Sequence, residues 1–217
     1  MAKIRNKILL VEGAEDQRVI PELIEANGIN WGTSNNPLVY IRDCGGYDNL
    51  ADPDLISSEL KASGLTKLGL IIDADEEPEN RWQSLRNACL ESIPNLPKDL
   101  PREGLIHDTE EGIKFGVWIM PDNQPQGMLE TFLTYLIPDS NNSLWQLAQN
   151  VTQTAKEQGA PFKQTHFDKA NIYTWLAWQD PPGRQLHDAI KQRILDPRHP
   201  EAQTFVTWFR NLYDLTE

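Results

Sequence analysis

The stretch KILLVEGAED, residues 7–16, decides how this chain is read. Four apolar side chains follow Lys7 without polar alternation, the pattern of a strand covered on both faces in a parallel sheet. The strand runs straight into a carboxylate, Glu12, and a glycine, Gly13, before the helical pattern of EDQRVIPELIEANG begins. A buried strand that ends on an acid places that acid at the carboxyl rim of its sheet, where open α/β folds hold ligands. Either other strands supply partners for Glu12 there, or it is a helix cap or surface residue.

Working outward, strand and helix signals alternate through residue 137. LVYIRD is a second strand, followed by the turn CGGYDN and the helical ADPDLISSELKASG. LGLII is a third strand, again apolar on both faces, leading into DADEEPE and the helix NRWQSLRNACLES. After the proline-rich IPNLPKDLPREG come a short strand in GLIHD, a longer one in KFGVWIM, and a helix in GMLETFLTYL. Pro21 is expected to kink the first helix or delay its start. Gly45 and Gly46 supply a turn of positive φ rather than a phosphate cradle, because neither GxxxxGK[ST] nor GxGxxG is present. Strands alternating with helices imply crossover connections and a Rossmann-like, parallel α/β sheet flanked by helices.

Past Pro138 only helical spacing remains, in SLWQLAQNVTQTAKEQG, NIYTWLAWQ, RQLHDAIKQRIL and EAQTFVTWFRNLYDL. Trp145, Trp175, Trp178 and Trp208 lie there, with Trp118 just upstream; aromatics on a helical face are read as core. The expected organisation is an α/β domain over residues 1–137 with a helical C-terminal subdomain, residues 138–217, packed on it.

The formal charge of −12 argues against non-specific affinity for nucleic acid, which depends on Lys and Arg at phosphates. The excess is uneven. Residues 1–160 hold 25 acidic and 13 basic side chains, whereas residues 161–217 hold seven of each. A nucleic-acid surface is therefore expected on the C-terminal part or on a partner, with Lys114, Lys163, Lys169, Arg184, Lys191 and Arg193 as candidate phosphate contacts. Cys44 and Cys89 have no CxxC spacing, no apolar run reaches membrane-spanning length, and the N-terminus does not read as a signal peptide. A cytoplasmic protein is expected.

In a sheet with the flavodoxin-like order, the first and third strands flank the crevice where strand order reverses. Those strands end VEG and IIDAD, so Glu12, Asp73 and Asp75 should meet there. In an extended exit Asp73 and Asp75, two apart, point the same way. Three ionised carboxylates in a partly dry crevice repel unless one is protonated or a cation lies among them. Oxygen ligands of this kind suit Mg²⁺, with Mn²⁺ as the substitute. The plainer reading is that Asp75 or Glu76 caps the following helix.

LLVEG before a helix, CGGYD after the second strand and IIDAD after the third together resemble the Toprim domain. That domain occurs in topoisomerases, bacterial primases, recombination-repair proteins and the OLD-family nucleases, and the chain also resembles small stand-alone Toprim-like bacterial proteins. The resemblance covers about residues 5–137. It implies a Rossmann-like fold, a general acid/base role for Glu12, and Mg²⁺ ligation by Asp73 and Asp75. The OLD type adds carboxylates for a second metal, which carries over to Asp122 and Glu130 in MPDNQPQGMLETFL; otherwise Asp122 starts a turn and Glu130 favours a helix N-terminus. It further implies metal-dependent phosphodiester chemistry on nucleic acid, of the nuclease type; the net charge adds the expectation of an ATPase or DNA-binding partner to reach substrate. Strand passage and primer synthesis are not expected, because no tyrosine nucleophile or zinc ribbon stands out.

The rival from another class is a cation-binding or regulatory module with this fold and no catalysis. A receiver-like phosphoacceptor would need two acids after the first strand and a lysine ending the fifth, yet Lys114 begins its strand. A haloacid-dehalogenase-type phosphatase would need its DxD after the first strand, where only Glu12 stands.

Overall fold

The apolar runs become the strands of one sheet. The computed structural model describes residues 5–75 and 77–215. In chain order the elements are β1 (Lys7–Val11), α1 (Ala14–Ala26), a small hairpin of β2 (Gly32–Thr33) and β3 (Asn36–Pro37), β4 (Tyr40–Asp43), α2 (Tyr47–Leu50) and α3 (Pro53–Leu60). There follow β5 (Lys67–Asp73), α4 (Pro78–Cys89), β6 (Leu105–Asp108), β7 (Lys114–Met120) and α5 (Leu129–Thr134). The rest is helical: α6 (Asn142–Glu157), α7 (Phe167–Leu176), α8 (Leu186–Lys191) and α9 (Pro200–Tyr213).

The main sheet has the order β4-β1-β5-β7-β6. β4, β1, β5 and β7 are mutually parallel, and β6 closes one edge as an antiparallel partner of β7. This is the expected α/β architecture with a helical C-terminal part. The chain steps from β1 outward to β4 and then back across to β5, so strand order reverses between β1 and β5. Helix α1 runs through Pro21 without a delayed start. Gly45 and Gly46 adopt φ of 73° and 122°, as the turn after β4 requires. The hairpin of β2 and β3 has only two residues per strand, too few for a periodic signal. Glu76 lies outside the described residues, and the residue preceding α4 is Glu77.

Strand alternation divides the core into two layers. Ile8, Leu10, Leu70, Ile72, Phe115, Val117 and Ile119 face α3 and α4, together with Ile56, Trp82 and Leu85. Leu9, Val11, Ile71, Trp118 and Met120 face α1, α5 and the C-terminal helices. The C-terminal part thus covers one face of the sheet and shares its core. Trp118 stacks edge-on to Phe205 at 5.2 Å and lies 5.6 Å from Trp208, so these aromatics are core.

Two strand glycines make that packing close. Gly69 and Gly116 are register partners on β5 and β7. A Cβ on Gly69 would stand 2.5 Å from the Tyr213 hydroxyl, and one on Gly116 would stand 2.6 Å from Leu212. The bare backbone lets α9 settle onto the sheet, where the Tyr213 hydroxyl donates to the Ile8 carbonyl at 2.8 Å. Fixed in this way, the sheet presents the carboxyl ends of β1 and β5 side by side.

Candidate active site at the carboxyl edge of the sheet

Glu12 immediately follows β1 and reaches across to the neighbouring strand, where its Oε1 accepts the backbone N–H of Asp73 at 2.8 Å. Asp73 is the last residue of β5. Its Oδ1 accepts the N–H of Leu129, at the first turn of α5, at 3.0 Å. Asp16, in the first turn of α1, accepts the Gly13 N–H at 3.2 Å and is almost wholly buried. Glu130, on the first turn of α5, is buried too and pairs with Lys169 of α7 at 2.6 Å. Four acids thus converge on one edge. Helix N-termini face them, which favours negative charge.

That convergence is uncomfortable when all four are ionised. Burial raises the Glu12 carboxyl above its ordinary range, and the Asp73 N–H only partly offsets this. Burial pushes Asp16 up to about 7, with Glu12 and Glu130 adding repulsion. Asp73 is driven well above the usual carboxylate range by burial first, then by Asp16, Glu12 and Glu130. Removal from water together with like charge is the combination that perturbs acids at functional sites.

Asp75 takes a different course from Asp73. It adopts a left-handed φ of 52° and exchanges backbone hydrogen bonds with Gly127, each 2.8 Å. Its carboxylate pairs with Arg81, whose guanidinium lies over the Tyr47 ring at 4.0 Å. The extended exit that would aim both aspartates alike is not formed, because the chain turns at Asp75 to enter α4. Asp122 lies elsewhere: its neighbours are Tyr135, Glu201 and Arg102, and burial raises its carboxyl. The structure therefore brings Glu12, Asp73 and Glu130 together, keeps Asp75 on the rim with Arg81, and leaves Asp122 beside α9.

Two participants escape the sequence reading. Asp16 reads as an ordinary acid in the first turn of a helix; its spacing of four from Glu12, across Gly13, was the available signal. Arg81 reads as a surface residue of α4. Lys169 was a candidate phosphate contact, and its ammonium instead meets Glu130.

The donor set is all oxygen, the chemistry that Mg²⁺ and Mn²⁺ prefer. Among the described residues no three carboxylate, histidine or cysteine side chains already enclose a point where an ion would sit. Each acid is turned toward an N–H or an ammonium. Holding a cation would require Glu12, Asp73 and Asp16 to exchange those bonds, and their raised proton affinities show how incompletely the N–H groups compensate their charge.

Comparison with known proteins agrees with the architecture. The profile of the family described as "Protein of unknown function (DUF3226)" matches residues 6–214. No curated protein matches the chain. Among solved structures, the C-terminal region of the Burkholderia pseudomallei OLD protein superposes with a TM-score of 0.50 at 14% identity, covering 97% of this chain and 100% of that one. The corresponding region of the Xanthomonas campestris pv. campestris OLD protein gives 0.48 at 14% identity, covering 97% of both. At this identity the likeness concerns the fold alone.

Proposed function

We propose that this chain, which belongs to the family described as "Protein of unknown function (DUF3226)", hydrolyses phosphodiester bonds of nucleic acid with Mg²⁺ or Mn²⁺ bound at the Glu12–Asp73 edge. One observation carries the reading: Glu12, Asp16, Asp73 and Glu130 converge where strand order reverses, and of these four only Glu130 has an ion-pair partner among the described residues. Like charges gathered out of water cost stability, and a divalent cation is the ligand that offsets that cost. The OLD-type fold and the Toprim-like motifs point to nucleic acid as the substrate class.

Asp73, Glu12 and Asp16 would hold the cation, with Glu130 beside them and Asp75 on the rim. The cation, when bound, would neutralise charge developing on the transferring phosphoryl group. Glu12 suits proton transfer because burial raises its carboxyl above the ordinary range, and a positioned carboxyl can relay a proton to or from a reacting group. Arg81, held by Asp75 and Tyr47, stands ready to meet substrate charge. A chain of charge −12 captures polyanions weakly, which fits delivery of substrate by an ATPase or DNA-binding partner.

A second reading, a cation-binding or regulatory module without catalysis, draws on one observation: Glu12, Asp16, Asp73 and Glu130 each already have a hydrogen-bond donor. Incubation with plasmid and single-stranded DNA or RNA at low salt, with Mg²⁺, Mn²⁺ or EDTA, separates the two. The nuclease reading expects cleavage that requires the metal and falls at least about a hundredfold in Glu12→Gln and in Asp73→Asn. Cleavage surviving both substitutions, or no cleavage with the cation still bound, would refute it; the latter result would establish the module.

A further inference from the structure

Beside the acid edge lies a cleft of about 700 Å³, between the first turns of α4 and the loop that precedes α7. Tyr47, Asp75, Asn80 and Arg81 line one side, and Lys163 and His166 the other. We propose that this cleft seats the sugar-phosphate backbone of one nucleic-acid strand, with Arg81, Lys163 and His166 on its phosphates. The inference deepens the nuclease reading and rests on it for the choice of nucleic acid as ligand.

Four observations carry it. Arg81 and Lys163 balance Asp75 and Glu77 in the lining, whereas the chain as a whole is at −12. Lys163 is exposed and, like Lys7, Lys61, Lys98 and Lys156, has no ion-pair partner among the described residues, so its charge is open to a ligand. Arg81 is fixed by Asp75 and by the Tyr47 ring, so its guanidinium is presented without further ordering. Ser84 and Thr165 add hydroxyls to the lining, and Arg, Lys, Ser and Thr are the side chains that contact phosphate oxygens.

Layout sets the direction. Asp75 belongs both to the cleft and to the loop leaving β5, so a strand in the cleft continues toward Asp73 and Glu12. Lys163 and His166 line the same cleft as Asp75, and the scissile phosphate would fall where the strand leaves it past Asp75. The volume lies within the range of about 300–1,000 Å³ typical of small-ligand clefts, enough for one or two nucleotides of a single strand. Arg81 occupies the face of Tyr47, the aromatic ring of this lining, so that face is not open to stack a base. Recognition here is of backbone and is indifferent to sequence.

Fluorescence anisotropy of a labelled oligothymidylate, with the full chain in EDTA at low salt, tests the cleft without catalysis. Lys163 and His166 are exposed, so Lys163→Glu and the double variant Lys163→Ala/His166→Ala should fold, which a melting curve checks. We expect the parent to bind and each variant to weaken roughly tenfold. The double variant's salt dependence should also become shallower, by about 0.7 in log–log slope for each phosphate it no longer neutralises. Affinity unchanged within about twofold in both variants, preference for a mononucleotide or a duplex over the single strand, or no binding by the parent would overturn the cleft. Cleavage by the parent with variants that bind normally would overturn this inference and leave the nuclease reading intact. Binding that depends on Lys163 and His166 in a chain that never cleaves would do the reverse.

Discussion

At its amino end the sheet sets Lys7, Lys67 and Lys114 side by side in register on β1, β5 and β7; at its carboxyl end it gathers Glu12, Asp16, Asp73 and Glu130. The first crowd is answered within the fold. Asp214, at the C-cap of α9 in a left-handed φ of 47°, pairs with Lys67 at 2.8 Å and with Lys114. Those two lysines hold its carboxyl down at about 2. Burial and Lys67 lower Lys7, and Asp214 partly offsets this. The second crowd is answered only at its margins. Lys169 meets Glu130 and Arg81 meets Asp75, but among the described residues Glu12, Asp16 and Asp73 are met by backbone N–H groups rather than by cations. On the function proposed above, the contrast separates like charge that serves structure, where a counter-charge is built in, from like charge that a cation would offset.

The comparison breaks most easily through activity. Glu12→Gln and Asp73→Asn should each lower metal-dependent cleavage by about a hundredfold or more, whereas Asp214→Asn at the opposite end should leave the rate unchanged. A drop of similar size in Asp214→Asn would erase the distinction. Next in size is the packing that holds both ends in place. Gly69→Ala should cost about 1–3 kcal/mol in denaturant unfolding, because its methyl meets Tyr213 and Leu212.

The two ends should also respond oppositely to acid in metal-free protein. Asp16 sits at about 7 in the fold and near 3.9 when unfolded, so the folded state binds more protons and loses stability as pH rises from about 4 to 7. Asp16→Asn should therefore stabilise the metal-free chain on the order of 2 kcal/mol at pH 7 and flatten that part of the pH profile. Asp214 is the reverse. Its depressed carboxyl contributes stability above about 4, lost as pH falls toward about 2. It is largely exposed, so Asp214→Asn should produce the smallest change, at the scale of surface ion pairs. A melting series across pH checks both signs.

The sheet was legible because its strands carry one-sided or two-sided apolar patterns that fix their place: KILLV and LGLII had to be central, and KFGVWIM keeps its full length as β7. That Glu12 and Asp73 end adjacent strands followed from the reversal of strand order between them. What did not follow depends on partners remote in sequence or on a single backbone turn. The parallel aim of Asp73 and Asp75 assumed an extended exit, and one left-handed residue removes it. Asp16 was hidden by a helix-capping pattern that it also satisfies. Lys169 lies 39 positions from Glu130, a distance over which no local period speaks. Gly69 and Gly116 read as weak points in strands until α9 is seen against them.

The central claim is that the carboxyl edge is a cation site, and thermal unfolding with and without millimolar Mg²⁺ near neutral pH tests it most directly. A ligand bound only by the folded state at a hundred times its dissociation constant adds about 2.7 kcal/mol, several degrees of melting temperature for a chain of this length. The account predicts that rise for the parent protein and for Asp214→Asn, and none for Asp73→Asn. The same melting temperature in Mg²⁺ and in EDTA for the parent, or an equal rise in Asp73→Asn, would contradict it.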